Sequence, residues 1–194
     1  RAERVSLTPV KADTAIDGDG CVVGSGAGGG VGAAELASRG LSVVVLEAGP
    51  GDQAGDFDQR ELRGMERVYL DSGLTATRDF GLAILAGACL GGGTAVNWQT
   101  SLRTPDRIRD EWTERSGCAL FTSDQFTDAL DAVAMRLGVS TRESVVNANN
   151  APIERGCATL GYSWSPIARN SVGCDPSQCG YCTFGCRLGG RGAQ

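Results

Sequence analysis

Between the apolar run Cys21-Val22-Val23 and the small residues Ala33, Ala34, Leu36 and Ala37 stands Gly24-Ser25-Gly26-Ala27-Gly28-Gly29-Gly30, the passage that most limits what this chain can fold into. Gly24, Gly26 and Gly29 fit G-x-G-x-x-G. The first glycine permits a tight turn, the second lets backbone approach a diphosphate, and the third lets a helix pack close on a strand. A small-residue helix follows and ends at Arg39-Gly40, a positive charge and a C′ glycine. Leu41 to Leu46 is a run aliphatic except at Ser42, the pattern of a parallel strand buried on both faces, and it stops at Glu47-Ala48-Gly49-Pro50. Strand, glycine turn, helix and strand make a βαβ unit. The fold class expected is α/β, a Rossmann-like domain built on a partial parallel sheet. Unpaired N–H groups and the helix dipole then favour a phosphate anion, and Glu47 stands where a carboxylate accepts ribose hydroxyls. The bland reading is a glycine turn beside a solvated acid; the ordered sequence of all four parts favours a dinucleotide site. By itself this motif leaves nicotinamide and flavin both open.

Composition narrows the chemistry. Glycine supplies 29 of 194 residues in clusters rather than at every third position, which excludes collagen and favours ligand loops. Eighteen basic against twenty-three acidic side chains give a net charge of −5, so no nucleic-acid partner is expected. Histidine is absent, which removes the commonest general base and metal ligand. The longest apolar stretch, Leu82 to Leu90, is too short to span a bilayer, and the charged N-terminal residues contain no signal-peptide core. A cytoplasmic location with reduced thiols is the expectation. Arg1 in the first position leads us to expect a start further upstream.

Three segments are expected: an arm over residues 1–17, a nucleotide-binding core with its second glycine loop over 18–120, and a helical segment with a Cys-rich tail over 121–194. A short helix is expected around Glu61 to Leu70. Thr104-Pro105-Asp106 predicts a helix start with Thr as N-cap and Pro in the first helical position. Thr122 and Gln125 predict a capping box, with Phe126, Leu130, Val133 and Leu137 on one face and Gly138 closing the helix. Asn150-Ala151-Pro152 opens another that Gly161 ends. Arg103, Asp106, Arg107, Arg109, Asp110 and Glu111 read as a solvated face, and Asp52, Asp56 and Asp58 as a hydrated loop.

The second glycine cluster adds the decisive motif. Leu90-Gly91-Gly92-Gly93-Thr94-Ala95-Val96-Asn97-Trp98, taken with Gly24–Gly30 and Leu46-Glu47-Ala48-Gly49-Pro50, resembles the glucose–methanol–choline (GMC) oxidoreductase family, in its N-terminal FAD-binding part. Ser101-Leu102-Arg103-Thr104-Pro105, Glu111-Trp112 and the terminal Cys-Gly-Tyr-Cys passage look most like the long-chain alcohol oxidase branch in its bacterial form. The resemblance covers the chain from about residue 18 onward and implies FAD as cofactor and oxidation of the CH–OH group of an alcohol, with hydride passing to flavin N5. It implies that Gly24, Ser25, Gly26 and Gly29 hold the diphosphate and that Glu47, with Ala48 beside it, takes the adenosine ribose. Leu90, Gly91, Gly92, Gly93, Thr94 and Asn97 would run beside the isoalloxazine, with Trp98 directly after. Ala88 departs from the family, which usually has Arg or another polar residue there.

Cys174, Cys179, Cys182 and Cys186 are spaced C-x₄-C-x₂-C-x₃-C, which suits either a structural loop or a zinc or iron–sulfur site; the structural loop is favoured. Cys21, Cys89, Cys118 and Cys157 read as small core residues, and Trp112 and Trp164 as core packing. In the family the catalytic histidine and substrate sheet lie in the C-terminal half. This chain has no histidine, so no catalytic residue is named and a fragment is expected. The rival readings are a non-catalytic remnant and a flavin domain with an iron–sulfur electron-transfer site. The substrate alcohol and the electron acceptor stay open.

Overall fold

Gly20–Val23 is a strand (β1) whose residues alternate between half-buried and exposed, and Gly24 ends it in the left-handed region at φ +87°. Helix α1, Ala27–Ser38, starts from Gly26 as its N-cap; Arg39 caps its other end and Gly40 follows at φ +86°. β2, Val43–Leu46, returns parallel to β1, Gly20 opposite Val43 through Val23 opposite Leu46. The computed structural model described here covers residues 7–175 and 179–189. Residues 7–17 contain neither helix nor strand, whereas residues 1–6 of the expected arm and 190–194 of the expected tail lie outside the described residues.

Residues paired across a parallel ladder share a face. Gly20, Val22, Val43 and Val45 therefore lie on one side of β1–β2, and Cys21, Val23, Val44 and Leu46 on the other. α1 packs on the first side, where Leu36 faces Gly20 and Gly29 meets Val22. The second side is open in this unit: Val23 is 83% exposed and Leu46 about half exposed. This corrects the expectation of a six-residue strand buried on both faces. Among the described residues the parallel sheet has two strands and a helix on one side only.

The chain divides into two compact units, one running to Asn97 and taking back Tyr181–Arg187, the other formed by Trp98–Gly180. In the first unit, α2 (Glu61–Val68) leads to a short antiparallel hairpin, β3 (Thr75–Ala76) with β4 (Ala83–Ile84). Its core is Val68, Tyr69, Cys89, Ala95 and Val96, with Phe57, Met65 and Phe184 packed against it. The Tyr69 hydroxyl donates to the Thr183 carbonyl at 2.6 Å and stands 3.2 Å from that of Val96. The cysteine passage thus contributes core packing through Phe184. Cys89 is buried, but Cys21 and Cys118 are exposed, which corrects their assignment to the core; each follows or occupies an uncovered surface rather than a packed layer.

In the second unit, α4 (Asp106–Ser116), α5 (Asp124–Arg136) and α6 (Ala151–Leu160) carry the regular structure. Two caps sit one residue later than expected. Pro105, extended at ψ 147°, is the N-cap of α4 because its carbonyl accepts from Ile108 (2.9 Å) and Arg109 (3.2 Å). Ser123 caps α5, its hydroxyl accepting from Phe126 N–H at 3.3 Å, because Thr122 closes the preceding turn by donating to the Ala119 carbonyl. Val133 is nearly half exposed, so the packed face of α5 passes through Ala134 instead. Asn150 and Gly161 bound α6 as expected.

The largest correction is Arg109, expected on a solvated face and found 7% exposed. Its guanidinium donates to the Phe121 carbonyl (2.7 Å), the Thr127 hydroxyl (2.9 Å), Asp106 (3.2 Å) and the Ser123 carbonyl (3.3 Å), and lies over the Phe126 ring. Burial of so many backbone acceptors gives a charged side chain the partners that solvent would otherwise supply. Glu111 and Arg115 do form the expected exposed i,i+4 pair. Trp112 packs edge-on against Phe121 at 5.5 Å, yet it and Trp164 are both about two-fifths exposed, which corrects their assignment to the core. Asp52 and Asp58 are paired with Arg67 and Arg63.

Candidate functional site

The three glycine-bearing motifs meet in the first unit. The parallel ladder is extended by Gly24 N–H donating to the Leu46 carbonyl at 2.8 Å, which sets the glycine turn beside the end of β2. Gly29 explains why the turn needs a third glycine: a Cβ built there would stand 1.9 Å from the Gly24 carbonyl oxygen. No side chain caps α1 and no acidic residue occupies its first turn, so the amides and positive dipole end of a twelve-residue helix are left for an anion.

Glu47 sits where β2 ends. Its Oε2 accepts from Ser25 N–H at 2.9 Å and from the Ser25 hydroxyl at 2.5 Å, and its Oε1 accepts from Gly49 N–H at 2.9 Å. Partial burial acts to raise this carboxyl. The Ser25 hydroxyl and the Gly49, Ser25 and Ala48 amides together outweigh burial and hold it below its ordinary value near 4.5. Both donors of Ser25 are therefore directed at Glu47.

Ser25 also reaches the second loop, since its oxygen accepts from Gly91 N–H at 2.9 Å. That loop is fixed at both ends by buried residues, Cys89 before it and Ala95 and Val96 within α3 (Gly93–Val96) after it. Leu90 N–H donates to the Pro50 carbonyl at 2.9 Å, and the Thr94 hydroxyl closes the turn on the Gly91 carbonyl at 2.6 Å. Gly92, at φ +53° and ψ −133°, takes a conformation that a side chain resists, and a Cβ on it would lie 3.1 Å from Gly26 Cα. Gly26 and Gly92, 66 positions apart, are thus in close approach. Ala88, where the family usually has a polar residue, is tied only into the backbone here, its N–H on the Val68 carbonyl at 2.8 Å.

Of the expected site residues, Gly24, Ser25, Gly26, Gly29, Glu47, Ala48, Leu90, Gly91, Gly92, Gly93, Thr94 and Asn97 all belong to the first unit. Asn97 is exposed at the end of α3, and Trp98, the first residue of the second unit, is 62% exposed. Gln99 is a residue that no sequence motif marks. It is 2% exposed at φ +63°, and its Oε1 accepts from Arg169 (2.8 Å) and the Ser171 hydroxyl (2.7 Å). Its place directly after Asn97-Trp98 was the available signal. Among the described residues, no three or more His, Cys, Asp or Glu side chains are grouped to hold a metal ion. No described helix is long and apolar enough to cross a membrane.

A model of the NAD(P)-binding Rossmann-like domain matches residues 22–81, and the GMC oxidoreductase model matches residues 65–193. The chain belongs to the GMC oxidoreductase family. Its α/β architecture is Rossmann-like, and GMC oxidoreductases as a class are flavoproteins. Similar curated proteins include two long-chain-alcohol oxidases of Arabidopsis thaliana. FAO4B is 43% identical over 89% of this chain and 23% of its own length, and FAO4A is 40% identical over 90% and 24%. A GMC-type oxidoreductase of Mycobacterium tuberculosis (strain ATCC 25618 / H37Rv), Rv0492c, is 31% identical over 95% of this chain and 30% of its own. The chain therefore spans about a quarter of the length of the curated relatives it matches.

Proposed function

We propose that this chain is the FAD-binding N-terminal portion of an oxidoreductase acting on the CH–OH group of alcohols. The observation that carries the reading is the convergence of the glycine turn, Glu47 and the Gly91–Gly93 loop through the two-sided hydrogen bonding of Ser25. The names of the plant relatives, long-chain-alcohol oxidases, support an aliphatic alcohol as the substrate class.

The donor set suits an adenine dinucleotide. The uncapped first turn of α1 supplies amides and a positive dipole end for the diphosphate, and Gly24, Gly26 and Gly29 keep that turn clear of side chains. Glu47, held ionised, accepts from the ribose hydroxyls, with Ala48 beside it. The Leu90–Thr94 loop offers a backbone surface with no side chain at Gly91, Gly92 or Gly93, which lets a flat ring approach. Asn97 supplies an exposed amide group at the loop's end. FAD, when bound, supplies the acceptor for the hydride taken from the alcohol carbon.

Substrate binding and acceptance of the hydroxyl proton are assigned to the remaining length of such a protein, since this chain carries no histidine and a quarter of its relatives' length. Equilibrium dialysis of the chain against FAD, FMN and NAD tests the cofactor. FAD alone should be concentrated on the protein side, because FMN lacks the adenosine ribose and NAD lacks the flavin ring. Equal retention of NAD and FAD would remove the flavin assignment, and retention of FMN would remove the role of Glu47.

A further inference from the structure

We propose that Ser25 is a positioning residue whose hydroxyl couples ribose binding at Glu47 to the Gly91–Gly93 loop. The inference rests on the cofactor reading above and concerns how the two ends of that site communicate. An ionised carboxylate has about four acceptor positions. On Glu47, Ser25 N–H, the Ser25 hydroxyl and Gly49 N–H already occupy three, and the Ala48 amide is a further donor beside them. A vicinal ribose diol brings two further donors, so at least one present donor must leave.

The amides are the wrong ones to yield. Ser25 N–H is fixed by the turn between β1 and α1, and Gly49 N–H by the chain leaving β2. The Ser25 hydroxyl turns about a single bond and is the donor free to go. Its oxygen cannot stay in place: at 2.5 Å from Glu47 Oε2, two oxygens without a proton between them repel. The same oxygen is the acceptor for Gly91 N–H, so its withdrawal releases Gly91. The hydrogen bonds also reinforce each other in series, because a hydroxyl that donates to a carboxylate is a better acceptor for the next N–H. Occupation of the ribose end therefore loosens the loop that faces the ring end, before the ring arrives.

The coupling is read without the flavin. ¹⁵N-labelled chain is titrated with ADP, which carries the adenosine and diphosphate but no flavin ring, while the Gly91 amide is followed by chemical shift and hydrogen exchange. In the unaltered protein, ADP should move the Gly91 resonance toward weaker hydrogen bonding and speed its exchange about fivefold, the scale of one net hydrogen bond. With each protein compared at its own ADP saturation, the ADP-dependent change at Gly91 should vanish in Ser25→Ala, whatever that substitution does to affinity, and Ser25→Thr should restore it. ADP binding with Gly91 unmoved overturns the coupling and leaves the cofactor reading standing. The same ADP response in Ser25→Ala also overturns it, since the effect would then be direct contact. Failure of ADP to bind the unaltered protein overturns both.

Discussion

The Tyr69 hydroxyl donates to the Thr183 carbonyl at 2.6 Å, joining the end of α2 to a residue 114 positions later in the chain. The bond returns the Cys182–Phe184 turn to the core that flanks the second glycine loop, so a late segment helps hold an early site. Tyr69→Phe keeps the ring and removes the donor, leaving the Thr183 carbonyl without it. A loss of about 1 kcal/mol is expected in urea unfolding. An unchanged midpoint would show that the ring alone does the work.

Gly29 admits no side chain, because the Gly24 carbonyl fills the space. Gly29→Ala must push the helix off the turn, and overpacking of this kind costs about 1–3 kcal/mol or more where the neighbour is backbone. The expected outcome is a destabilised chain whose FAD retention falls further than its stability, since the displaced turn is also the diphosphate site. Wild-type retention of FAD by Gly29→Ala would contradict that placement.

Glu47 is held below its ordinary value, so its bonds add stability that is complete above about pH 4.5 and is lost as pH falls through the lowered folded-state value. Stability measured between pH 7 and pH 3 should therefore drop at the acid end, and Glu47→Gln should flatten part of that drop. An identical slope in the variant would remove Glu47 as its source.

Arg109 is buried on α4 with carbonyl acceptors from Phe121 and Ser123. Arg109→Met keeps the length and abandons those acceptors, with a cost of about 2–4 kcal/mol expected. Arg109→Lys should rescue only part of this, because an ammonium cannot reproduce the planar fork that serves several acceptors at once. Thermal melts of the two variants distinguish the cases.

What the sequence made legible follows the range of the interactions. The βαβ unit, the end of α1 at Arg39-Gly40 and the bounds of α6 rest on local glycine chemistry and short periodic runs, and the structure has them there. The caps of α4 and α5 slipped by one residue because neighbouring Thr, Pro and Ser compete, and the preceding turn decides which is used. The burial of Arg109 is not legible in the sequence because its backbone acceptors lie on a turn that helical spacing does not describe. The exposure of Cys21 and Leu46 is not legible either, because it depends on a second sheet face that this unit leaves open. Within the site, the residue types were readable but the join was not. Ser25 is separated by 22 positions from Glu47 and 66 from Gly91, and no spacing rule links a serine to both.

The most direct measurement is the visible absorption spectrum of the purified chain after incubation with FAD and desalting. Two-band flavin absorbance that stays with the protein is the expected result, since the glycine turn, Glu47 and the second loop already stand together. A colourless protein, folded by circular dichroism, would contradict the assignment of these residues as an FAD site.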